Sequence, residues 1–208
     1  MLGRAVMAQD GPRIAEMSPE AFREFAKRYA SSPEIGPIQT SLDGGVESPK
    51  DHERVLVGLW GCESLCAVAC FHLYESARDK TRRIVKLDSV VVDNRLRRRG
   101  LAGLLVTQAF ADLVTDINRN ITRIYAHSVH PGTVRLLRRL GFNDPQATGA
   151  PISDVNVDAG EREAFLKLCE AQVLNHMRQI KLQCEFCRKN DRRARPWCLP
   201  RGETPKGR

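Results

Sequence analysis

Four arginines fall within five positions, Arg95, Arg97, Arg98 and Arg99, and Gly100, Ala102 and Gly103 follow at once. Guanidinium groups pair bidentately with phosphate. Glycine and alanine present little or no side chain, so a ligand can approach the backbone closely. If a helix begins at this point, its unpaired N–H groups and positive dipole end add an anion site. The combination suits a phosphate or pyrophosphate. A solvated charged face and a nucleic-acid patch draw on the same residue types, so the flanking elements must decide. No G-K-[ST] follows, which excludes a Walker A loop, and the G-x-G-x-x-G dinucleotide fingerprint is absent.

The cysteines form a second set. There are seven, an odd number, and the N-terminus MLGRAVMAQDGPR has no apolar h-region of a secretory signal. Disulfides are therefore not expected to organise the fold, and the chain reads as cytoplasmic. Cys62, Cys66, Cys70 and His72 lie close together. Strand alternation puts Cys66 and Cys70 on one side, and core packing is the reading for a common core residue. Cys184 and Cys187, with Cys198 further on, resemble half a zinc site, for which His176 or Cys169 are conceivable fourth ligands. No second pair completes it. A structural zinc is thus admitted but not assigned, with reduced thiols in a mobile tail as the alternative.

These residues need elements to position them. Residues 13–18 read as a short strand followed by a helix: Ser18 is the N-cap, Pro19 stands at N1, and Glu20 lies in the first turn. Phe22, Phe25, Ala26 and Tyr29 recur at helical spacing. From 31 to about 52 the composition is that of a long loop. RVLVGLW (54–60) and LCAVACFHLY (65–74) form a hairpin, and a third apolar strand spans 81–93. After Gly100 the period changes. Leu101, Leu104, Leu105, Phe110, Leu113, Val114 and Ile117 mark a helix ending near 118–120. A strand at 121–129, a basic helix at 131–142, a strand at 152–157 and a helix at about 160–181 complete the order. The arginine run thus joins a strand to an amphipathic helix.

No apolar run approaches the roughly 20 residues that span a bilayer. The formal charge is +8, and residues 182–208 hold eight Lys/Arg against three acids, a net of +5. That tail is either solvated or a contact for nucleic acid or an acidic protein.

The stretch Arg97-Arg98-Arg99-Gly100-Leu101-Ala102 resembles the R/Q-x-x-G-x-G/A motif of the GNAT N-acetyltransferases. HPGTVRLLRRLGF (130–142) is similar to that family's later segment, in which a helix ends in Gly-Phe. The resemblance covers about residues 12–157. It implies an α/β (α+β) GNAT fold, a mixed, mostly antiparallel sheet with splayed central strands flanked by helices. The division expected is a flexible N-terminus (1–11), a GNAT domain (12–157), and a C-terminal helix with a basic, Cys-containing extension (158–208).

The resemblance also implies acetyl-CoA, or another acyl-CoA, as co-substrate and an amine as acceptor. Arg97 would begin the pyrophosphate loop, and backbone N–H groups from Arg98 and Arg99 through Gly100, Leu101, Ala102 and Gly103 would hold the pyrophosphate. Backbone groups of Val91 and Val92 would pair with the pantetheine arm. Asp88 stands where many members carry an acidic residue, on a face shared with Val90 and Val92 by alternation, and is the candidate base. The alternative is that Asp88 merely pairs with Lys86 or an arginine. The chain departs from the family at Leu137, where many members have a tyrosine that protonates the leaving thiolate: either another group serves, with His130 a donor or else an exposed N-cap, or the thiolate leaves unassisted, or CoA is bound without efficient turnover. Loops at about 31–52 and 143–153 would shape the acceptor pocket. The competing reading is a catalytically weak GNAT scaffold that binds nucleic acid or an acidic protein through its tail.

Overall fold

Six strands line up in sequence order in one sheet: β1 (Arg13–Glu16), β2 (His52–Gly61), β3 (Ser64–Glu75), β4 (Arg83–Val92), β5 (Ile121–Ala126) and β6 (Ser153–Asn156). The structure is a computed structural model that describes residues 12–27, 52–61, 64–126, 131–143 and 153–189. Neighbouring strands run antiparallel except β4 and β5, which are parallel. A parallel pair needs a crossover. The helix α2 (Leu101–Thr115) supplies it, immediately after the arginine run.

Helix α1 (Pro19–Lys27) covers one face of the sheet. Ser18 Oγ accepts a hydrogen bond from the Ala21 N–H at 3.2 Å, the N-cap that the sequence predicts. Phe22, Phe25 and Ala26 are buried against Leu56, Val68, Cys70 and Val91. Tyr29, expected in the same stripe, lies outside the described residues.

The other face carries α2, α3 (Pro131–Arg139) and α4 (Arg162–Lys189). Helix α2 is buried nearly all round, from Leu101 through Leu105, Val106 and Phe110 to Val114. A helix apolar on every side has to be enclosed, and here the sheet lies on one side and α4 on the other. Phe110 is the pin of this layer: its ring lies 5.6 Å from Phe71 on β3, 5.8 Å from Phe142 and 6.5 Å from Phe165 on α4. Helix α4 continues eight residues beyond the predicted end at 181. No Gly or Pro occurs between 161 and 189 to stop it. Among the described residues no helix is long and apolar enough to cross a membrane.

Two β-bulges alter what simple alternation predicts. The β2–β3 register shifts at Leu59/Trp60, where Leu59 faces Ala67 and Trp60 faces Leu65. Cys66 is the extra residue. It is buried in the core under α2, whereas Cys70 is buried under α1. The expectation that both cysteines share a side is therefore corrected, because a bulge resets the two-residue period. The β3–β4 register shifts in the same way: Phe71 faces Leu87 and Cys70 faces Ser89, which leaves Asp88 as the extra residue.

Candidate active site

The loop after β4 is built from the inside out. Asp93 is buried, and its carboxylate accepts from the Arg95 N–H at 2.9 Å and from the Arg95 guanidinium at 3.2 and 3.0 Å. Arg95, the arginine outside the family motif, thus neutralises a buried acid and fixes the short 3-10 turn Asn94–Leu96. Arg97 and Arg98 remain exposed, and Arg97 Nε donates to the Val92 carbonyl at 3.3 Å. Arg98 is held at φ +62°, a conformation that costs a non-glycine residue about 1 kcal/mol. Gly100 follows at φ +78° as the N-cap of α2 and offers no side-chain cap. The first N–H groups of α2 are therefore left beside three arginines, the arrangement expected of an anion cradle.

Beside this loop β4 outruns its neighbour. Pairing with β5 extends from Arg83 to Leu87, which faces Ala126. Residues 88–92 continue with no β5 partner among the described residues. Val91 and Val92 lie on this stretch, paired on the other side with β3, and an extended ligand can add itself to a strand edge that has no partner.

Asp88 sits where the pairing ends. It lies on the face that carries Cys70 and His72, and its bulge moves Val90 and Val92 to the other face, where they pack against the core under α2. The expected shared face is thus corrected, with the bulge as the cause. Asp88 Oδ1 lies 3.6 Å from Lys86 Nζ, and Oδ2 lies 4.0 Å from His72 Nε2. The aromatic rings of His52, His72 and Tyr74 stack alongside, with the two histidines 5.0 Å apart. Burial depresses the basicity of His72, and Asp88 partly offsets this. Sequence reasoning left His72 in the packing category. Its cross-strand pairing with Lys86, two residues before Asp88, is the signal that links them.

Leu137 is a core residue with 1% exposure. It packs beside Leu136 and Leu140 and offers no proton donor. His130 lies outside the described residues, as do Cys62, most of the two acceptor-side loops, and residues 190–208.

Helix α4 crosses directly over the first turn of α2. A Cβ placed on Gly103 would lie 2.5 Å from His176 Cε1 and 2.6 Å from Nε2. The imidazole therefore occupies the space left by the missing side chain. Both ring nitrogens are buried without a hydrogen-bond partner among the described residues, and desolvation, followed by Arg139, lowers the basicity of the ring. Gly103→Ala is expected to overpack this contact and lose about 1–3 kcal/mol in urea unfolding. Adding His176→Ala should restore most of that loss; a double variant no more stable than Gly103→Ala would refute the contact.

The same helix bears on the tail cysteines. Cys184 and Cys187 fall in its last two turns. Cys169 is sealed in the core, its thiol pushed up to about 12 by burial. A continuous helix holds residues 169 and 184 about 22 Å apart, and 176 and 184 about 12 Å apart. Neither Cys169 nor His176 can therefore complete a zinc site with Cys184, as the spacing alone had allowed.

A chain with this sheet order, a central parallel pair, and a glycine-capped helix behind an arginine loop has the architecture of an acyl-CoA-dependent acyltransferase. It belongs to the GNAT acetyltransferase family: the model of the "Acetyltransferase (GNAT) family" matches residues 19–142. Among solved structures, the chain is similar to the GNAT family N-acetyltransferase YhbS from Escherichia coli in complex with CoA. Identity is 13%, the match covers 72% of this chain and 83% of that one, and the TM-score is 0.52. Arabidopsis thaliana NAA60 in complex with a bisubstrate analogue matches at 17% identity over 64% and 84% of the two chains, with a TM-score of 0.46. The ribosomal-protein-S18-alanine N-acetyltransferase of Escherichia coli matches at 12% over 71% and 95%, with a TM-score of 0.49. No curated protein matches the sequence.

Proposed function

We propose that the chain transfers an acetyl group from acetyl-CoA to an amine by direct attack on the thioester. The observation that carries this reading is the adjacency of two binding features. One is the N-terminus of α2, without a side-chain cap, behind Arg97, Arg98 and Arg99, and the other is the stretch of β4 at residues 88–92, which has no β5 partner among the described residues. The first suits a pyrophosphate and the second an extended pantetheine arm, and together they match the two ends of coenzyme A. The CoA bound to the fold neighbour YhbS supports the same cofactor class.

In this reading the N–H groups from Arg98 to Gly103 hold the pyrophosphate, while Val91 and Val92 align the arm. Asp88 takes a proton from the ammonium form of the acceptor, directly or through water. The freed nitrogen forms the new N–C bond as the C–S bond breaks. Leu137 offers no proton, so the CoA thiolate leaves on its own modest basicity and is protonated by solvent.

The test is a thiol-release assay with acetyl-CoA and a panel of amines, including peptide N-termini, lysine side chains and polyamines. Release that depends on the amine and disappears in Gly100→Glu supports the proposal. Absence of both acetyl-CoA binding and turnover rejects it. Asp88→Asn is expected to lower kcat by about 10²-fold while leaving the Kd for acetyl-CoA within a factor of about two. An unchanged kcat would remove Asp88 from the reaction.

A further inference from the structure

The sheet face under α1 holds three chemically distinct donors around one point. Cys70 Sγ lies 3.9 Å from His72 Nε2, and Asp88 Oδ2 lies 4.0 Å from the same nitrogen. All three ligand atoms fall within 4.8 Å of one another. Alternation from Leu87, which faces the core under α2, puts Asp88 on the face of Cys70 and His72, and the bulge keeps Ser89 on that face as well. We infer that Cys70, His72 and Asp88 form a binding site for a thiophilic divalent cation, zinc above all.

A Cys-His-Asp proton relay also uses these residue types, but it places its two partners on opposite ring nitrogens. Here both face Nε2, and converging donors describe a coordination site. Tetrahedral zinc with sulfur at about 2.3 Å and nitrogen or oxygen at about 2.0–2.2 Å holds its ligands about 3.3–3.6 Å apart. Each donor therefore has to close in by less than about 1 Å. Thiolate with imidazole and carboxylate selects zinc over magnesium or calcium, which prefer oxygen alone. Thiolate and carboxylate together balance the two positive charges.

The surroundings orient the ligands. Lys86 holds Oδ1 of Asp88 and leaves Oδ2 turned towards the triad, as outer partners do for ligating carboxylates. The His72 ring is fixed by its stack on His52. Arg54 from β2 and Lys86 from β4 are the cations that influence this face. Burial keeps the Cys70 thiol protonated, at about 12, so one proton leaves to solvent as the S–Zn bond forms. Cys70 forms the closed floor of the site, whereas the Asp88 side chain is 31% exposed. A fourth position therefore opens to solvent and takes water.

The consequence for activity rests on the proposed function. Zinc bound here captures the carboxylate assigned to the incoming ammonium, so it acts as a reversible inhibitor of acetyl transfer.

The binding test needs no activity. The full chain, stripped with chelator, is titrated with Co²⁺ while the thiolate-to-cobalt absorption in the near ultraviolet is followed. Zinc is then added in competition. The expected result is a band with a stoichiometry of one that zinc abolishes. It persists when Cys184, Cys187 and Cys198 are changed to serine, and it is lost in Cys70→Ala and in His72→Ala. Asp88→Asn, at a more exposed position, should weaken cobalt binding at least tenfold with an unchanged circular dichroism spectrum. Absence of the band in the wild type, or its survival in Cys70→Ala, overturns the site. Zinc binding without loss of acetyl transfer leaves the site standing but overturns its inhibitory role.

Discussion

Gly100→Glu is expected to raise the Kd for acetyl-CoA on the order of 10²-fold while the protein stays folded. Two effects must be separated. The first is backbone strain: Gly100 adopts φ +78°, which costs any residue with a Cβ about 1 kcal/mol. The second is charge. Two like charges 4 Å apart at an effective dielectric constant of 20 repel by about 4 kcal/mol, and about 2.7 kcal/mol is already a factor of 10². Steric conflict at the Cβ itself is small, because a Cβ at Gly100 meets only His176 Nδ1 at 3.5 Å and Gln179 Oε1 at 3.8 Å. A carboxylate at a helix N-terminus also offsets part of the strain. Gly100→Ala is the control that carries the strain without the charge. It should lose about 1 kcal/mol of stability yet keep its affinity within a few-fold. Calorimetric titration with acetyl-CoA and urea melts of both variants separate the two effects. Equal loss of affinity in Gly100→Ala and Gly100→Glu would mean that loop conformation, and not anion binding, governs this position.

Phe110→Ala is expected to be the most destabilising single change, at about 3–5 kcal/mol. Phe110 is fully buried and touches an aromatic ring from each of the layers around it: Phe71 of the sheet, Phe142 after α3, and Phe165 of α4. Removing it empties the point where these elements meet. A domain stabilised by about 5–15 kcal/mol can lose a third or more of its margin this way. Urea unfolding measures the loss. A cost below about 1.5 kcal/mol would show that the layers do not depend on this contact. Phe110→Leu, which retains most of the apolar volume, should cost markedly less than Phe110→Ala.

Much of the framework is written in local signals. Ser18-Pro19-Glu20 marks the start of α1, and the change from period two to period 3.6 at Gly100 marks the start of α2. The motif Arg97–Ala102 marks the loop proposed to hold the pyrophosphate because that chemistry depends on backbone conformation and charge within six consecutive residues. Leu137, at the position where many relatives carry a tyrosine, is also visible as an absence of chemistry, and its burial agrees.

What the sequence by itself determined, then, is the order of elements and the loop at their centre, since both follow from neighbours in the chain. Only the tertiary structure decided the faces. The extra residues Cys66 and Asp88 are bulges whose existence depends on the register of a partner strand, so alternation along one strand could not reveal that Val90 and Val92 leave the face that Asp88 shares with Cys70 and His72. The same holds for His176, an unremarkable position on a helix until α4 lies across α2 and its ring fills the space beside Gly103. A contact between residues 73 positions apart leaves no local period to read, because it is set by how two helices pack.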